Sequence, residues 1–244
     1  MQRPSRRTIV TLGAIGIMTA GLEAVLGVTR RTRAANHDRF QNEALSLPSP
    51  QEESDTSVEK AIANRRSRRE YGTQPLTRQE LSQLLWSAQG VTDRSTGYRA
   101  APSAGALYPL ELYVVVGTPG VENLEQGVYQ YQPEEHELRQ VKSGNVQSRL
   151  RQAALDQEDV EDAAIDIVVS ATDERTTQKY GNRGKLRYVP MEAGHVGENI
   201  YLQAESLTLS TVTIGAFDNE RVRQIVDAPA NQRPLYVIPV GTRP

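Results

Sequence analysis

Two short apolar runs constrain the fold of this 244-residue chain more than any other feature of its sequence. The runs are LELYVVVG, which begins at Leu110, and AIDIVVSAT, which begins at Ala164. Both are short and rich in β-branched residues, as is typical of strands that are buried on both faces. They therefore predict two central strands of a sheet that other elements cover.

The segments around these two runs complete the sheet. GVYQYQPEEHELRQV, from Gly127, alternates on both sides of a turn that contains proline, which predicts a β-hairpin. Strands are also expected at 210–214 and 235–240, on either side of a helix at 219–226. We therefore predict an α+β fold, with one central mixed or antiparallel sheet flanked by helices.

Three further helices are predicted in front of and between these strands. From Val189 to Leu207, apolar residues recur at steps of three and four, which predicts one long helix. We expect its apolar stripe to support a dimer contact. Two shorter helices begin at capping boxes, formed by Thr56 with Glu59 and by Thr77 with Glu80.

The N-terminal part of the chain has the layout of an export signal. Two adjacent arginines precede a mostly apolar run from Ile9 to Val28, an arrangement similar to a twin-arginine signal. The run also approaches the ~20 residues that cross a bilayer, so an uncleaved anchor that associates with the membrane is the alternative. We predict a signal or anchor at 1–35, a linker at 36–56 and a domain at 57–244. An exported or anchored protein is expected rather than a cytoplasmic one.

Composition excludes several classes of chemistry. The chain has no cysteine, which excludes thiolate metal sites, iron–sulfur clusters and cysteine nucleophiles, so redox chemistry needs a bound cofactor. Its three histidines lie far apart in sequence, and we expect no metal site. Residues 1–35 carry six of the 28 Lys and Arg residues and one of the 30 acids, so the rest has a net charge near −7. That charge argues against nucleic acid as a partner.

The first stretch that could carry chemistry is RRSRREY, from Arg65 to Tyr71. Arginine offers a planar fork of donors that suits phosphate oxygens, and a serine hydroxyl can add a further donor. The alternative is a cationic helix end that stays in water.

Two further stretches lack side-chain bulk beside predicted strands. Ser103, Ala104 and Gly105 precede the strand at Leu110 and would let a flat ligand approach the backbone closely. The alternative is an ordinary tight turn. The third stretch, TIGAFD from Thr213 to Asp218, lacks bulk at Gly215 and Ala216. It could offer backbone N–H groups to a ring, or could be a plain connection to the next helix.

The fourth stretch, KYGNRGKLRY, places Lys179 next to Tyr180. A lysine can supply positive charge or act as a base, and a tyrosine can donate or accept a proton. The alternative is a surface loop in which both side chains are solvated.

In this order and spacing the four stretches, together with EAGHVGENIYLQA, resemble the nitroreductase fold from about Ser57 to Arg243. Within that fold the chain is similar to the SagB/ThcOx type of flavin-dependent dehydrogenase. The resemblance implies a homodimer that holds flavin mononucleotide (FMN) at the subunit interface. NAD(P)H is a candidate electron donor.

The resemblance also implies roles for individual residues. The flavin phosphate and ribityl chain would be held by Arg65, Ser67 and Arg69, with Arg66 beside them, and by Arg243 after the last strand. The isoalloxazine ring would lie alongside Ser103, Ala104 and Gly105, where many nitroreductases have an asparagine in place of Gly105. Its reactive edge would face the backbone of Ile214, Gly215 and Ala216.

In azoline-oxidising members an adjacent lysine and tyrosine serve proton transfer, and Lys179 and Tyr180 match that pair. The expected function is an FMN-dependent oxidoreductase that transfers hydride to or from flavin N5. Its small-molecule or peptide substrate would be an azoline-containing peptide, a quinone or a nitroaromatic compound. The alternative is a flavin-binding protein without turnover, or a membrane-tethered partner in an assembly.

Overall fold

The computed structural model of the chain describes residues 44–244. The signal or anchor predicted at 1–35 lies outside these residues. In the part that is described, no helix is both long and apolar enough to cross a membrane.

Strands form the centre of the part of the chain that the structure describes. They are β1 (Ala44–Ser46), β2 (Val91–Asp93), β3 (Tyr98–Arg99), β4 (Leu110–Val116), β5 (Gly127–Gln132), β6 (Glu137–Ser143), β7 (Ile165–Thr172), β8 (Leu209–Thr211) and β9 (Gln232–Thr242). Seven of them form one antiparallel sheet in the order β1-β6-β5-β4-β7-β9-β8, and β2 pairs with β3 separately. The predicted hairpin is β5 and β6, and the predicted central strands are β4 and β7.

Helices cover both faces of this sheet. They are α1 (Val58–Asn64), α2 (Arg78–Gln89), α3 (Gln147–Ala153), α4 (Asp159–Asp162), α5 (Glu174–Tyr180), α6 (Val189–Ser206) and α7 (Asn219–Ile225). Alternate residues of β4 and β7 point to opposite faces. One face packs against α2 and α6, and the other packs against α3 and α7. The predicted α+β class, with a central sheet flanked by helices, is therefore confirmed.

The apolar stripe of α6 lies in the core of its own chain. Val189, Val196 and Ile200 are fully buried against the sheet and α2. The expectation that this stripe supports a dimer contact is therefore wrong, because it has no surface left for a second subunit. On α1, by contrast, Val58 is 64% exposed and Ile62 is 57% exposed.

The start of the domain also differs from the prediction. Ala44–Ser46 forms β1 and pairs with β6, so this part of the expected linker is built into the sheet. Nearby, the ring of His136 bonds the hydroxyls of Ser82 (2.7 Å) and Tyr131 (2.8 Å) and the carbonyl of Pro48 (3.0 Å). These contacts hold a polar, proline-rich segment in place, and they come from residues far away in sequence.

Capping explains where the first two helices begin. At α2, Thr77 and Glu80 form the predicted capping box. At α1 the N-cap is Ser57, whose hydroxyl accepts from the N–H of Lys60 at 3.2 Å, and the predicted box at Thr56 is wrong by one residue. Both residues are good cap formers, so the sequence alone did not separate them.

One carboxyl group is buried inside the central sheet. Asp166 on β7 is fully buried, and its Oδ2 accepts from the amide of Gln147 at 3.2 Å. Its Oδ1 has no hydrogen-bond partner within residues 44–244. Burial raises the pKa of Asp166 well above its usual value, against the smaller opposing effect of Gln147. At pH values between the unfolded and the folded pKa, the folded chain therefore binds more protons at Asp166 than the unfolded chain does.

We expect Asp166→Asn to stabilise the protein at neutral pH. Because the folded-state pKa is raised, stability falls as pH rises from the unfolded value of about 3.9 through the folded value. The amide has no such titration, and the gain at pH 7 should be about 1–3 kcal/mol, the usual cost of a buried group without a partner. Thermal unfolding between pH 4 and 8 should show the two curves converging at low pH. Asp162→Asn, at an exposed position, is the control. A gain in stability that does not change with pH would contradict the raised pKa of Asp166.

Candidate active site

A turn with very small side chains, Ala104–Ala106, precedes β4, and we call it the bare turn. Residues Ala104–Ala106 form a short 3₁₀ turn, which is closed by the N–H of Ala106 on the carbonyl of Ser103 at 3.1 Å. The hydroxyl of Ser103 also accepts from the N–H of Tyr108 at 2.9 Å. At the tip, Gly105 has a φ of 68°, in the left-handed region that glycine adopts without strain. The stretch predicted to flank a flavin is thus a fixed turn with an exposed backbone tip.

Lys179 and Tyr180 are the last two residues of α5. The stretch KYGNRGKLRY continues through Gly181, at a φ of 58°, and a π-helical turn, Gly184–Tyr188, into α6. The loop expected in the solvated alternative is therefore replaced by helical structure, and π turns occur often at functional sites. The Tyr180 ring packs edge-on against Tyr188, with ring centroids 5.0 Å apart. Lys179 remains exposed.

The turn and the Lys179–Tyr180 pair meet in space. A Cβ atom on Gly105 would lie 2.7 Å from the Tyr180 hydroxyl and 2.9 Å from Lys179 Nζ. The second and fourth stretches predicted from the sequence therefore form one cluster. The cluster contains the phenol of Tyr180 and the amine of Lys179, two groups that can exchange protons. Both lie beside the backbone of Gly105, which has no side chain.

Ionic contacts fix the helix that carries this pair. Asp173, which precedes α5, accepts two hydrogen bonds from the guanidinium of Arg233 on β9, at 2.9 and 3.0 Å. Arg175 on α5 donates to the carbonyl of Tyr108 at 2.9 Å and pairs with Glu111 on β4. Two-pronged arginine contacts of this kind set orientation as well as distance. The helix that carries the pair is thus tied to β9 and to β4, the strand that follows the turn.

Glu192 was missed by the sequence analysis. It lies on α6, is 2% exposed, and sits behind the turn beside Ser103 and Gln89. Burial raises the pKa of Glu192 to about 7, although the neighbouring side chains of Ser103 and Gln89 and the charge of Arg99 act in the opposite direction. A signal was present in the sequence. Glu192 is three residues after Val189, on the apolar face of the predicted helix.

A second cluster forms around Tyr201, farther along α6. The Tyr201 hydroxyl lies 2.9 Å from the Ser67 hydroxyl and accepts from the N–H of Thr213 at 2.9 Å. The guanidinium of Arg65 lies over the Tyr201 ring, 5.0 Å from its centroid. Tyr201 therefore joins the first stretch to the third. It was also missed, although it falls one turn after the buried Gly197 on the same helix face.

The third stretch continues from Thr213 to the surface. Ile214 is buried and exchanges two backbone hydrogen bonds with Val237, at 2.9 and 3.0 Å. Gly215 and Ala216 are exposed. Within the described residues nothing lies within 4 Å of where a Cβ of Gly215 would stand. The backbone of Gly215 and Ala216 is therefore accessible to a ligand beside the Tyr201 cluster.

The remaining predicted phosphate anchors have other partners in this structure. Arg66 donates to the carbonyls of Ala63 and Arg65, and Arg69 Nε lies 3.5 Å from the carboxylate of Asp159. The guanidinium of Arg243 contacts Glu205 at 2.6 Å and the carbonyl of Leu209 at 3.2 Å. Arg65 and Ser67 are thus the predicted anchors that converge on Tyr201. The phosphate roles of Arg66, Arg69 and Arg243 stay predictions.

Both clusters lie along α6. Glu192 marks the first and Tyr201 the second, and a helical rise of about 1.5 Å per residue separates them by about 13 Å. One chain therefore presents two groups of candidate site residues, one near the start of the helix and one in its second half.

Comparisons with known proteins identify the family of this chain. Residues 62–242 match the nitroreductase family. A Methanocaldococcus jannaschii protein named as a nitroreductase is 44% identical over 199 residues, which cover 82% of this chain and 96% of the relative. A solved structure of a Ralstonia eutropha protein described as a nitroreductase has a TM-score of 0.72 at 26% identity, covering 84% of this chain and 91% of that one.

A third relative is the microcin B17-processing protein McbC of Escherichia coli. It is 32% identical over 132 residues, which cover 53% of this chain and 48% of McbC. The structure of the E. coli microcin synthetase McbBCD with truncated pro-MccB17 bound matches with a TM-score of 0.64 at 26% identity, covering 86% of this chain and 82% of the matched one. The chain therefore belongs to the nitroreductase family, with a likeness to McbC that supports its resemblance to the SagB/ThcOx type.

Proposed function

We propose that this protein is an FMN-dependent dehydrogenase of the SagB/ThcOx type. The observation that carries the proposal is the meeting of Gly105 with Lys179 Nζ and the Tyr180 hydroxyl. Membership of the nitroreductase family supports redox chemistry, and the absence of cysteine from the sequence requires that a bound group supplies it. A proton-exchanging pair over a bare turn is what a dehydrogenation needs beside such a group.

The residues of the Tyr201 cluster fit a flavin phosphate and ribityl chain. Arg65 supplies a guanidinium and Ser67 a hydroxyl, while the bare Gly215 leaves the strand end open to a flat ring. Arginine suits phosphate because its donors match two oxygens at once. When bound there, FMN would supply a hydride acceptor. Arg65 and Ser67 would bind and orient it, and 214–216 would offer backbone N–H groups to the ring.

A dimer would bring the two clusters together. The clusters of one chain are about 13 Å apart along α6, and a flavin at the subunit interface could contact one cluster from each chain. Because the stripe of α6 is buried, the subunit contact needs another surface. The exposed Val58 and Ile62 give α1 an apolar face for this purpose.

Lys179 and Tyr180 would handle the substrate proton. Dehydrogenation removes a hydride from one substrate carbon and a proton from its neighbour, and a double bond forms between them. Bound FMN would supply the hydride acceptor, and Lys179 and Tyr180 would take the proton. The Tyr188 ring and the contacts of Arg175 hold the pair in position while it acts. With NAD(P)H as donor and a quinone or nitroaromatic acceptor, the flavin would be reduced by the nucleotide instead.

The substrate class that we favour is a peptide with an azoline ring. The support is the likeness to McbC, which is named for microcin B17 processing, and to the McbBCD structure with its bound peptide. A flavin-binding protein without turnover is the alternative, and the proton-exchanging pair argues against it. Export or anchoring through 1–35 belongs to the same proposal.

The protein without residues 1–35 should purify yellow and dimeric, and so should the full chain in detergent. Both should release FMN on denaturation, identified by absorption and chromatography. Incubation with a synthetic peptide that carries one thiazoline ring should bleach the flavin without air and yield the thiazole, seen by mass spectrometry as the loss of two hydrogens. A colourless monomer that does not take up added FMN would overturn the proposal.

A further inference from the structure

Gly105 occupies the point where the bare turn meets the proton-exchanging pair. The turn around it is fixed, because Ser103 accepts hydrogen bonds from both Ala106 and Tyr108. The pair is fixed from the other side, since the Tyr180 ring packs edge-on against Tyr188. The backbone of the turn and the Tyr180 ring are therefore each held by neighbours, and the mobile atoms between them are the ends of the Lys179 and Tyr180 side chains.

The available space excludes even a methyl group. A Cβ at Gly105 would lie 2.7 Å from the Tyr180 hydroxyl and 2.9 Å from Lys179 Nζ, closer than real Cβ atoms approach their neighbours. Ordinary contact begins at 3.4 Å, so each of the two polar atoms would move by about half an ångström or more. These atoms end flexible side chains, so they would yield before the backbone of the turn does.

We propose that Gly105 is a positioning residue that sets where Lys179 Nζ and the Tyr180 hydroxyl stand over the turn. The inference rests on the proposed function, because it assumes that Lys179 and Tyr180 transfer a proton and that Gly105 leaves the space they need. A displacement of 1 Å at a reacting group can cost about a hundredfold in rate, so half that distance should cost roughly tenfold. Gly105 thereby determines how well the pair reaches the substrate carbon, without touching that carbon itself.

A second glycine provides a matched control. Gly97 has a φ of 71°, almost the same as Gly105, and in the described part of the chain nothing lies within 4 Å of where its Cβ would stand. Gly97→Ala therefore carries the same backbone strain without the contact. If both variants lose similar thermal stability, any further effect of Gly105→Ala comes from its neighbours.

Crystal structures of the FMN-loaded wild type and both variants give the direct test. Gly105→Ala should displace the Tyr180 hydroxyl and Lys179 Nζ away from the turn by about half an ångström or more, and Gly97→Ala should leave them in place. If the pair keeps its position in Gly105→Ala, the inference is wrong. This measurement needs no substrate, so it can be read even if the proposed substrate class fails.

Kinetics then test whether the displacement matters. With the thiazoline peptide, Gly105→Ala should reduce bound flavin about tenfold more slowly than Gly97→Ala. In a background that carries both Lys179→Ala and Tyr180→Phe the same change should cost little more, because both groups that Gly105 positions are already lost. Additive losses would show that Gly105 acts elsewhere. If Tyr180→Phe alone has no effect, the proposed function fails and not the positioning by Gly105.

Discussion

Replacing Tyr180 with Phe, or Lys179 with Ala, should slow reduction of the bound flavin by a thiazoline peptide ~10²–10⁴-fold. A positioned acid or base contributes this much to a proton transfer, which corresponds to about 3–5 kcal/mol in the barrier. Both reactive atoms lie within 3 Å of where a Cβ of Gly105 would stand, so the loss of either should break the proton path. The rate is measured by flavin bleaching in single turnover without air.

Three comparisons separate proton transfer from general damage. Dithionite needs no substrate proton, so it should reduce flavin in these variants at nearly the wild-type rate. Arg187→Ala removes an exposed cation of the same stretch, and Tyr98→Phe removes an exposed phenol, and both should leave the rate unchanged. If Tyr180→Phe loses FMN, Tyr180 holds the cofactor. If its turnover is unchanged, the pair has no part in the reaction.

The sequence predicted those parts of the fold that depend on local patterns. The runs at Leu110 and Ala164 are continuous and apolar, and the structure places both at the centre of the sheet. The capping box at Thr77 was correct for the same reason, since all of its atoms lie within one turn. The strand Ala44–Ser46 was missed because its stability comes from pairing with β6, which local composition does not report.

The candidate site was predictable in its residue types and not in its arrangement. The resemblance named Lys179 and Gly105 separately, but their contact depends on how α5 packs against the turn before β4. Arg69 and Arg243 likewise pair with carboxylates that are distant in sequence, Asp159 and Glu205, and local pattern does not report such partners. Glu192 could have been found, because its place on the apolar face of α6 is visible in the sequence.

Arg65→Ala should weaken FMN binding by about 1.5–3 kcal/mol, roughly 10-fold to 150-fold, and should leave riboflavin binding almost unchanged. Riboflavin has the same ring and ribityl chain without the phosphate, so the difference isolates the charge-assisted contact. The guanidinium of Arg65 lies over the Tyr201 ring, and the hydroxyl of Tyr201 contacts Ser67, so we expect a phosphate at this cluster to meet both donors. Fluorescence quenching of each ligand by the apoprotein measures both constants.

Arg66→Ala is the matched control for this prediction, because it removes the same charge one residue away. Arg66 is exposed and donates to the carbonyls of Ala63 and Arg65, so its loss should change FMN affinity much less than the loss of Arg65 does. Raising the salt concentration should reduce the difference between FMN and riboflavin in the wild type, since exposed charges are screened. If Arg65→Ala weakens the binding of FMN and riboflavin equally, Arg65 contacts the flavin ring or stabilises the fold, and does not bind the phosphate. Equal effects of the two substitutions on FMN affinity would mean that the phosphate is attracted by the overall positive charge of this stretch. Arg65 would then make no specific contact with it.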